Sequence, residues 1–222
     1  YNTNVNDLLL TALVRAYKPV TGSSSLGVLM EGHGREEFGN AHLTIDRTAG
    51  WFTSMFPVVL ETVGSLREDI RSVKEILHRV PNKGFGFNVL QYIKRSLPEY
   101  IAPSVTFNYL GEFSEGGSED ASEGLYISGD LPMGNPVSLE NVEESVSINA
   151  VASDGQLVVP FIYDACTLTE AQVQQWADGV VSQLSYPCTI TVVIASHTPA
   201  RGLAMRQSGI NDINLSWLSP VI

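Results

Sequence analysis

Apolar residues recur at helical spacing in three stretches of this chain and alternate with polar ones in several others. Leu9, Leu10, Leu13, Val14 and Tyr17 share one face of a helix that Asn6 or Asp7 can cap and that Pro19 and the following TGSSS run should end. Ser65 with Glu68 three residues on has the form of a capping box, and Leu66, Ile70, Val73, Leu77 and Val80 continue from it as a core-facing stripe to Pro81. Thr169 with Gln172 opens a third helix, whose inner face is Val173, Trp176, Ala177, Val180, Val181 and Leu184. Residues 88–97 read as a shorter helix stopped by Pro98.

Leu26, Val28 and Met30 alternate as a half-buried strand, and VTFNYLGEF from Val105 is rich enough in β-branched and aromatic residues to be another. Residues 145–152 and 157–164 alternate in period two around Asp154 and Gly155, which predicts a hairpin. Residues 114–124, SEGGSEDASEG, hold no apolar side chain except Ala121 and should be a solvated loop. Past Pro187, residues 190–195 add a possible last strand, whereas 199–222 have a scattered pattern, a linker or docking tail. No internal repeat is present. The order of elements predicts an α/β fold, one mixed sheet covered by helices.

Composition fits a packed core: of 222 residues 44% are hydrophobic and only 17% charged. No apolar run approaches the roughly 20 residues that span a bilayer, and the YNTNVND start has neither a basic region nor a cleavage site. No membrane association is expected. Tyr1 in place of Met leads to the expectation of a fragment. Cys166 and Cys188 make neither a disulfide framework nor a metal cluster and read as reduced thiols of a cytoplasmic protein. A net charge of -11 argues against nucleic acid as a partner. Residues 1–95 hold 11 Lys/Arg and 9 Asp/Glu, while residues 96–200 hold 14 Asp/Glu and no Lys or Arg. Arg71, Lys74, Arg79, Lys83, Lys94 and Arg95 are therefore candidates for docking an acidic partner, or else belong to ordinary solvated helix faces.

Candidate chemistry centres on EGHGRE at residues 31–36, which delivers a carboxylate, an imidazole and a guanidinium from the first strand into a loop with two glycines, Gly32 and Gly34. Glu31 is either a proton-transfer group or the ion-pair partner of Arg35. No HExxH, CxxC or Gly-rich phosphate loop of Rossmann or Walker form occurs, so no metal or pyridoxal cofactor is expected; GFGF at Gly84 reads as a turn.

Four further motifs accompany EGHGRE in order: NDLLLTAL from Asn6, RTAGWFTSMFP from Arg47, PNKGFGF from Pro81 and FNYLGEF from Phe107. Over roughly residues 1–185 this series resembles the epimerization domains of nonribosomal peptide synthetases, relatives of the condensation domains. Ala49 stands where that family more often has a larger aliphatic residue. Its HHxxxDG segment has no counterpart here, since His33, His42, His78 and His197 stand apart. The resemblance is thus to the C-terminal lobe, with residues 186–222 as a possible last strand plus tail. It implies one lobe of a fold similar to chloramphenicol acetyltransferase, with the active site in a tunnel between lobes.

The resemblance implies an amino acid epimerase, an isomerase that inverts Cα of an aminoacyl or peptidyl thioester. The substrate would hang on the phosphopantetheine of a peptidyl carrier protein, with no cofactor bound directly. Inversion needs acid/base groups on two faces of Cα, and the thioester carbonyl acidifies the proton between them. Glu31 would be one group, provided surroundings such as Met30 and Trp51 bury it, because an ordinary carboxylate of pKa about 4.3 is a weak base. The second His of HHxxxDG would be the other, so the N-terminal lobe is an implied partner and the single lobe should be inactive. Tyr109 is the implied donor to the enolate oxygen, with Asn108 beside it. Strand alternation lets at most one of the two face the substrate, and a buried tyrosine with a backbone partner is the alternative for Tyr109. Arg47 and Trp51 read as structural or tunnel-lining, and His33 and Arg35 as supports of the Glu31 loop. Competing functions are a condensation-domain lobe that forms peptide bonds, and a non-catalytic remnant or interaction module. EGHGRE and WFT favour epimerization, since condensation domains generally lack this glutamate.

Overall fold

A computed structural model describes residues 3–35, 45, 47–98, 101–113, 145–153, 155–184, 189–198 and 202–208. Its centre is a seven-stranded mixed sheet in the order β2-β1-β3-β4-β5-β6-β7. The strands are β1 (Ser25–Gly32), β2 (Ser54–Glu61), β3 (Val105–Phe113), β4 (Val146–Ser153), β5 (Gln156–Asp164), β6 (Thr189–Thr198) and β7 (Gly202–Ser208). Three helices, α1 (Val5–Thr21), α2 (Leu66–Arg79) and α3 (Glu170–Leu184), bury side chains in one core with alternate residues of the strands. They therefore share one face of the sheet, in a two-layer α/β arrangement.

Helix boundaries follow local chemistry. The first helix starts two residues before the expected cap, at Asn4, because Asp7 as third helical residue accepts from the Asn4 N–H at 2.9 Å. Pro19 sits inside the last turn, and Gly22, at φ 76°, ends the helix by donating to the Lys18 carbonyl at 2.8 Å. The predicted boxes of α2 and α3 both form: Ser65 N–H donates to Glu68 at 2.8 Å, and Thr169 N–H to Gln172 at 3.0 Å. In place of the helix predicted over 88–97 stands one π-type turn, Val89–Ile93, which buries none of its residues.

Trp176 is the hub of the core. Its indole N–H donates to the Leu13 carbonyl at 3.0 Å, and its ring meets Tyr17 at 4.9 Å and the edge of Phe161 at 5.4 Å. Beside it α1 and α3 cross so closely that a Cβ on Gly179 would lie 2.8 Å from Ala16 Cβ. The α2 stripe differs from expectation. Val73 is buried and Leu77 and Val80 pack on the core, but Leu66 is exposed and the inward residue is Asp69. Asp69 faces inward because it pairs with Arg15 of α1 and accepts the N–H groups of Val63 (2.6 Å) and Gly64 (3.0 Å). Arg15 in turn donates to Gln183 of α3 at 2.9 Å, so one polar contact chain joins all three helices.

Two strands were not predicted. The first, β2, lies antiparallel to β1 with Pro57 in it, which an edge strand tolerates. The second, β7, occupies part of the stretch expected to be a linker or tail and pairs antiparallel with β6. An edge strand is specified mainly by its one neighbour's hydrogen bonds, so its own pattern is weak. The β4–β5 hairpin has the predicted register, Ser153 opposite Gln156 with Gly155 at φ 75°. Beyond it β6 runs parallel to β5, so the sheet continues unbroken past residue 185. The predicted loop at 114–124 lies outside the described residues, as does Cys188; Cys166 is exposed.

Candidate active site

Period-two alternation along β1 sends Leu26, Val28 and Met30 into the helix-side core and Glu31 onto the opposite face of the sheet, where Val151, Val158 and Val193 form a second buried cluster. The β1–β3 pairing is parallel with Met30 opposite Phe107, which sets Glu31 beside Asn108. The Asn108 amide donates to Glu31 Oε2 at 3.2 Å. One strand further, Asn149 stands opposite Asn108 and donates to Ser147 Oγ at 3.2 Å. A row of Glu31, Asn108 and Asn149 thus crosses three adjacent strands. Asn149 and Ser147 were not singled out in the sequence; their only signal was the polar phase of the alternation in β4.

Met55 is the β2 partner of Glu31, and Pro57 and Val59 continue the same face, so the carboxylate sits at the border of an apolar surface. The burial expected from Met30 and Trp51 is not there: Met30 points into the other face, and Trp51 is 90% exposed. Glu31 is half-buried. Tyr109 packs on the helix-side core, with the buried Ala150 as its β4 partner. Strand alternation therefore brings Asn108 to Glu31 and turns Tyr109 away, so the placement of Tyr109 departs from that expected of an oxyanion donor.

Three of the sequence motifs meet at the end of β1. Gly34, at φ 65°, passes so close to the Phe52 carbonyl that a Cβ would lie 1.6 Å from its oxygen. The Arg35 guanidinium donates to the carbonyls of Ile45 (2.7 Å) and Thr48 (2.8 Å) and lies 4.2 Å from the Phe52 ring centre. Its backbone N–H donates to His33 Nδ1 at 3.0 Å. Arg35 thus ties EGHGRE to the RTAGWFT loop, on whose surface Arg47 and Trp51 are both exposed. From the other side PNKGFGF closes in: Asn82, Lys83 and Gly84 all have positive φ, and a Cβ on Gly84 would fall 1.9 Å from the Phe56 ring. The turn expected at GFGF is therefore a packing device, which presses backbone against Phe56 next to Gly32.

Among the described residues no three His, Cys, Asp or Glu side chains are grouped to hold a metal, and no helix is long and apolar enough to cross a membrane.

A mixed sheet covered by helices is the fold class that the order of elements predicts. The condensation-domain family model matches residues 1–187, and the chain belongs to that family of nonribosomal peptide synthetase domains. It is 38% identical over 192 residues to surfactin synthase subunit 1 of Bacillus subtilis (strain 168), covering 83% of this chain and 5% of that protein. To gramicidin S synthase 1 of Brevibacillus brevis it is 36% identical over 201 residues, covering 83% of this chain and 17% of that protein. Among solved structures it is similar to the epimerization domain from the third module of tyrocidine synthetase B. That match has a TM-score of 0.67 at 34% identity, over 83% of this chain and 42% of the other. The chain therefore spans a small part of these synthetases and under half of that solved domain.

Proposed function

We propose that this chain carries the glutamate side of an epimerization site, acting on an aminoacyl or peptidyl thioester held on the phosphopantetheine of a peptidyl carrier protein. The observation that carries the reading is the Glu31–Asn108 pair on the sheet face away from the helices, 3.2 Å apart at the border of an apolar surface. The likeness to a solved epimerization domain supports it. Glu31 exchanges a proton with one face of Cα, and Asn108 fixes the rotamer of its carboxylate. The N-terminal lobe of the same domain supplies the acid/base group on the opposite face of Cα. As Cα loses its proton, the electron pair moves onto the thioester oxygen; return of a proton from the other face restores the C–H bond with inverted configuration.

The test is a carrier-bound L-aminoacyl thioester in heavy water, offered to the whole domain with both lobes. Deuterium at Cα and D-product are expected, and Glu31→Gln should slow both by about 100-fold or more. Unchanged exchange in Glu31→Gln would overturn the assignment. Amide formation between two carrier-bound substrates without exchange would favour the condensation reading.

A further inference from the structure

Two residues on the sheet face of Glu31 have no part in the proton transfer described above: Ser147 and Asn149 of β4. Val146, Ile148 and Ala150 alternate with them in the helix-side core, so Ser147 and Asn149 stand on the face of Glu31 and Asn108. Both are half-buried, and the next residue in that phase, Val151, belongs to the buried cluster with Val158 and Val193. A polar side chain at the rim of an apolar cluster costs free energy unless its hydrogen-bonding groups are used. Asn149 uses one end of its amide, donating from Nδ2 to Ser147 Oγ at 3.2 Å. The other end, Oδ1, is an acceptor to which none of the described residues donates. Asn108 is in the same state: Nδ2 donates to Glu31, and none of the described residues donates to its Oδ1.

From Glu31 through Asn108 to Asn149 the row holds a carboxylate and then two amide oxygens, all acceptors. An aminoacyl or peptidyl thioester has polar atoms on two arms of Cα. The thioester arm begins with a carbonyl oxygen and a sulfur and has no donor there, whereas the nitrogen arm presents N–H, as an ammonium or as an amide. Only the nitrogen arm is complementary to the row. Neighbouring strands lie about 4.8 Å apart, so the row spans about 10 Å of backbone. The Glu31 and Asn149 side chains, two contacts of about 3 Å and one N–Cα bond close that span.

We propose that Asn149 accepts the N–H of the substrate's α-nitrogen through Oδ1, and that Ser147 is a positioning residue that orients the Asn149 amide; the proposal rests on the reading that places Cα at Glu31. The nitrogen arm then lies across β3 and β4 and the thioester is directed away from them. Fixing both arms decides which face of Cα meets the Glu31 carboxylate.

The test uses carrier-bound ligands in which an amide replaces the thioester, in pairs that differ only at the α-nitrogen. One pair is N-acetylaminoacyl against its N-methyl counterpart, the other aminoacyl against its trimethylammonium counterpart. The whole domain with both lobes should bind the N–H member of at least one pair about 10-fold more tightly by calorimetry, and the pair that shows it tells whether an amide or an ammonium is bound. Asn149→Leu, close in shape but without the acceptor, should abolish that preference, and Ser147→Ala should reduce it to about threefold. A loss of folded protein weakens both members alike, so the ratio remains the measure. If Asn149→Leu does not fold by circular dichroism, Asn149→Ala takes its place with the same expectation. No preference in the parent for either N–H ligand, or a preference unchanged in the Asn149 variant, would overturn the proposal. Glu31→Gln should keep the preference, so a failure of the proton-transfer reading shows separately, as unchanged Cα exchange in that variant.

Discussion

Asn108 and Tyr109 are neighbours in sequence and sit on opposite faces of β3, so one substitution at each separates the site from the core. Asn108→Ala removes the amide that donates to Glu31 and should lower Cα exchange by about 10- to 100-fold, with the thermal midpoint nearly unchanged. Tyr109→Phe removes a hydroxyl on the helix side and should leave exchange within about twofold of the parent. A large loss in Tyr109→Phe would return that residue to the site. At Gly34 the constraint is steric, since φ is 65° and a Cβ would strike the Phe52 carbonyl. Gly34→Ala should therefore destabilise the fold by about 2 kcal/mol or more, read as a lower denaturation midpoint.

At the scale of the element, α2 depends on its first turn. The Glu68 carboxyl is held below the usual carboxylate range by hydrogen bonds from the Ser65 backbone N–H and then the Ser65 hydroxyl. Because the folded chain favours the ionised form, this contribution is complete above the ordinary carboxylate pKa and is lost as pH falls through the lowered value. Thermal midpoints of the parent and of Glu68→Gln, measured from neutral pH down to pH about 2, should converge at the acid end. A constant difference across that range would refute the linkage. Ser65→Ala, which removes the cap itself, should cost about 1 kcal/mol at neutral pH.

For the whole molecule, the chain of contacts from Gln183 through Arg15 to Asp69 fastens the helical layer, and it rests on one fully buried carboxylate. Asp69→Ala strands the Arg15 guanidinium, a quarter exposed, and leaves the N–H groups of Val63 and Gly64 without their acceptor. A loss of about 3 kcal/mol is expected in chemical denaturation, with all three helices loosening together in hydrogen exchange. Local fraying confined to α2 would show that the three helices are not coupled in this way.

What could be read in the sequence is what depends on near neighbours. The boxes at Ser65 and Thr169, the alternation that buries Val28 and Met30, and the hairpin at Gly155 are each decided within a few residues by capping and side-chain periodicity. Alternation also fixed in advance that Asn108 and Tyr109 diverge, though not which of them would meet Glu31. That choice belongs to the parallel register of β1 on β3, which joins residues 77 positions apart and is set by packing of the common core. The same holds for Asp69, polar in composition yet buried because Arg15 and the turn at Val63 and Gly64 converge on it. It holds also for β2 and β7, edge strands whose pairing lies in their neighbours. The sequence by itself determined the elements and the residues with chemistry to offer; the tertiary structure decided which of those residues stand together, because contacts between distant segments follow from packing and register.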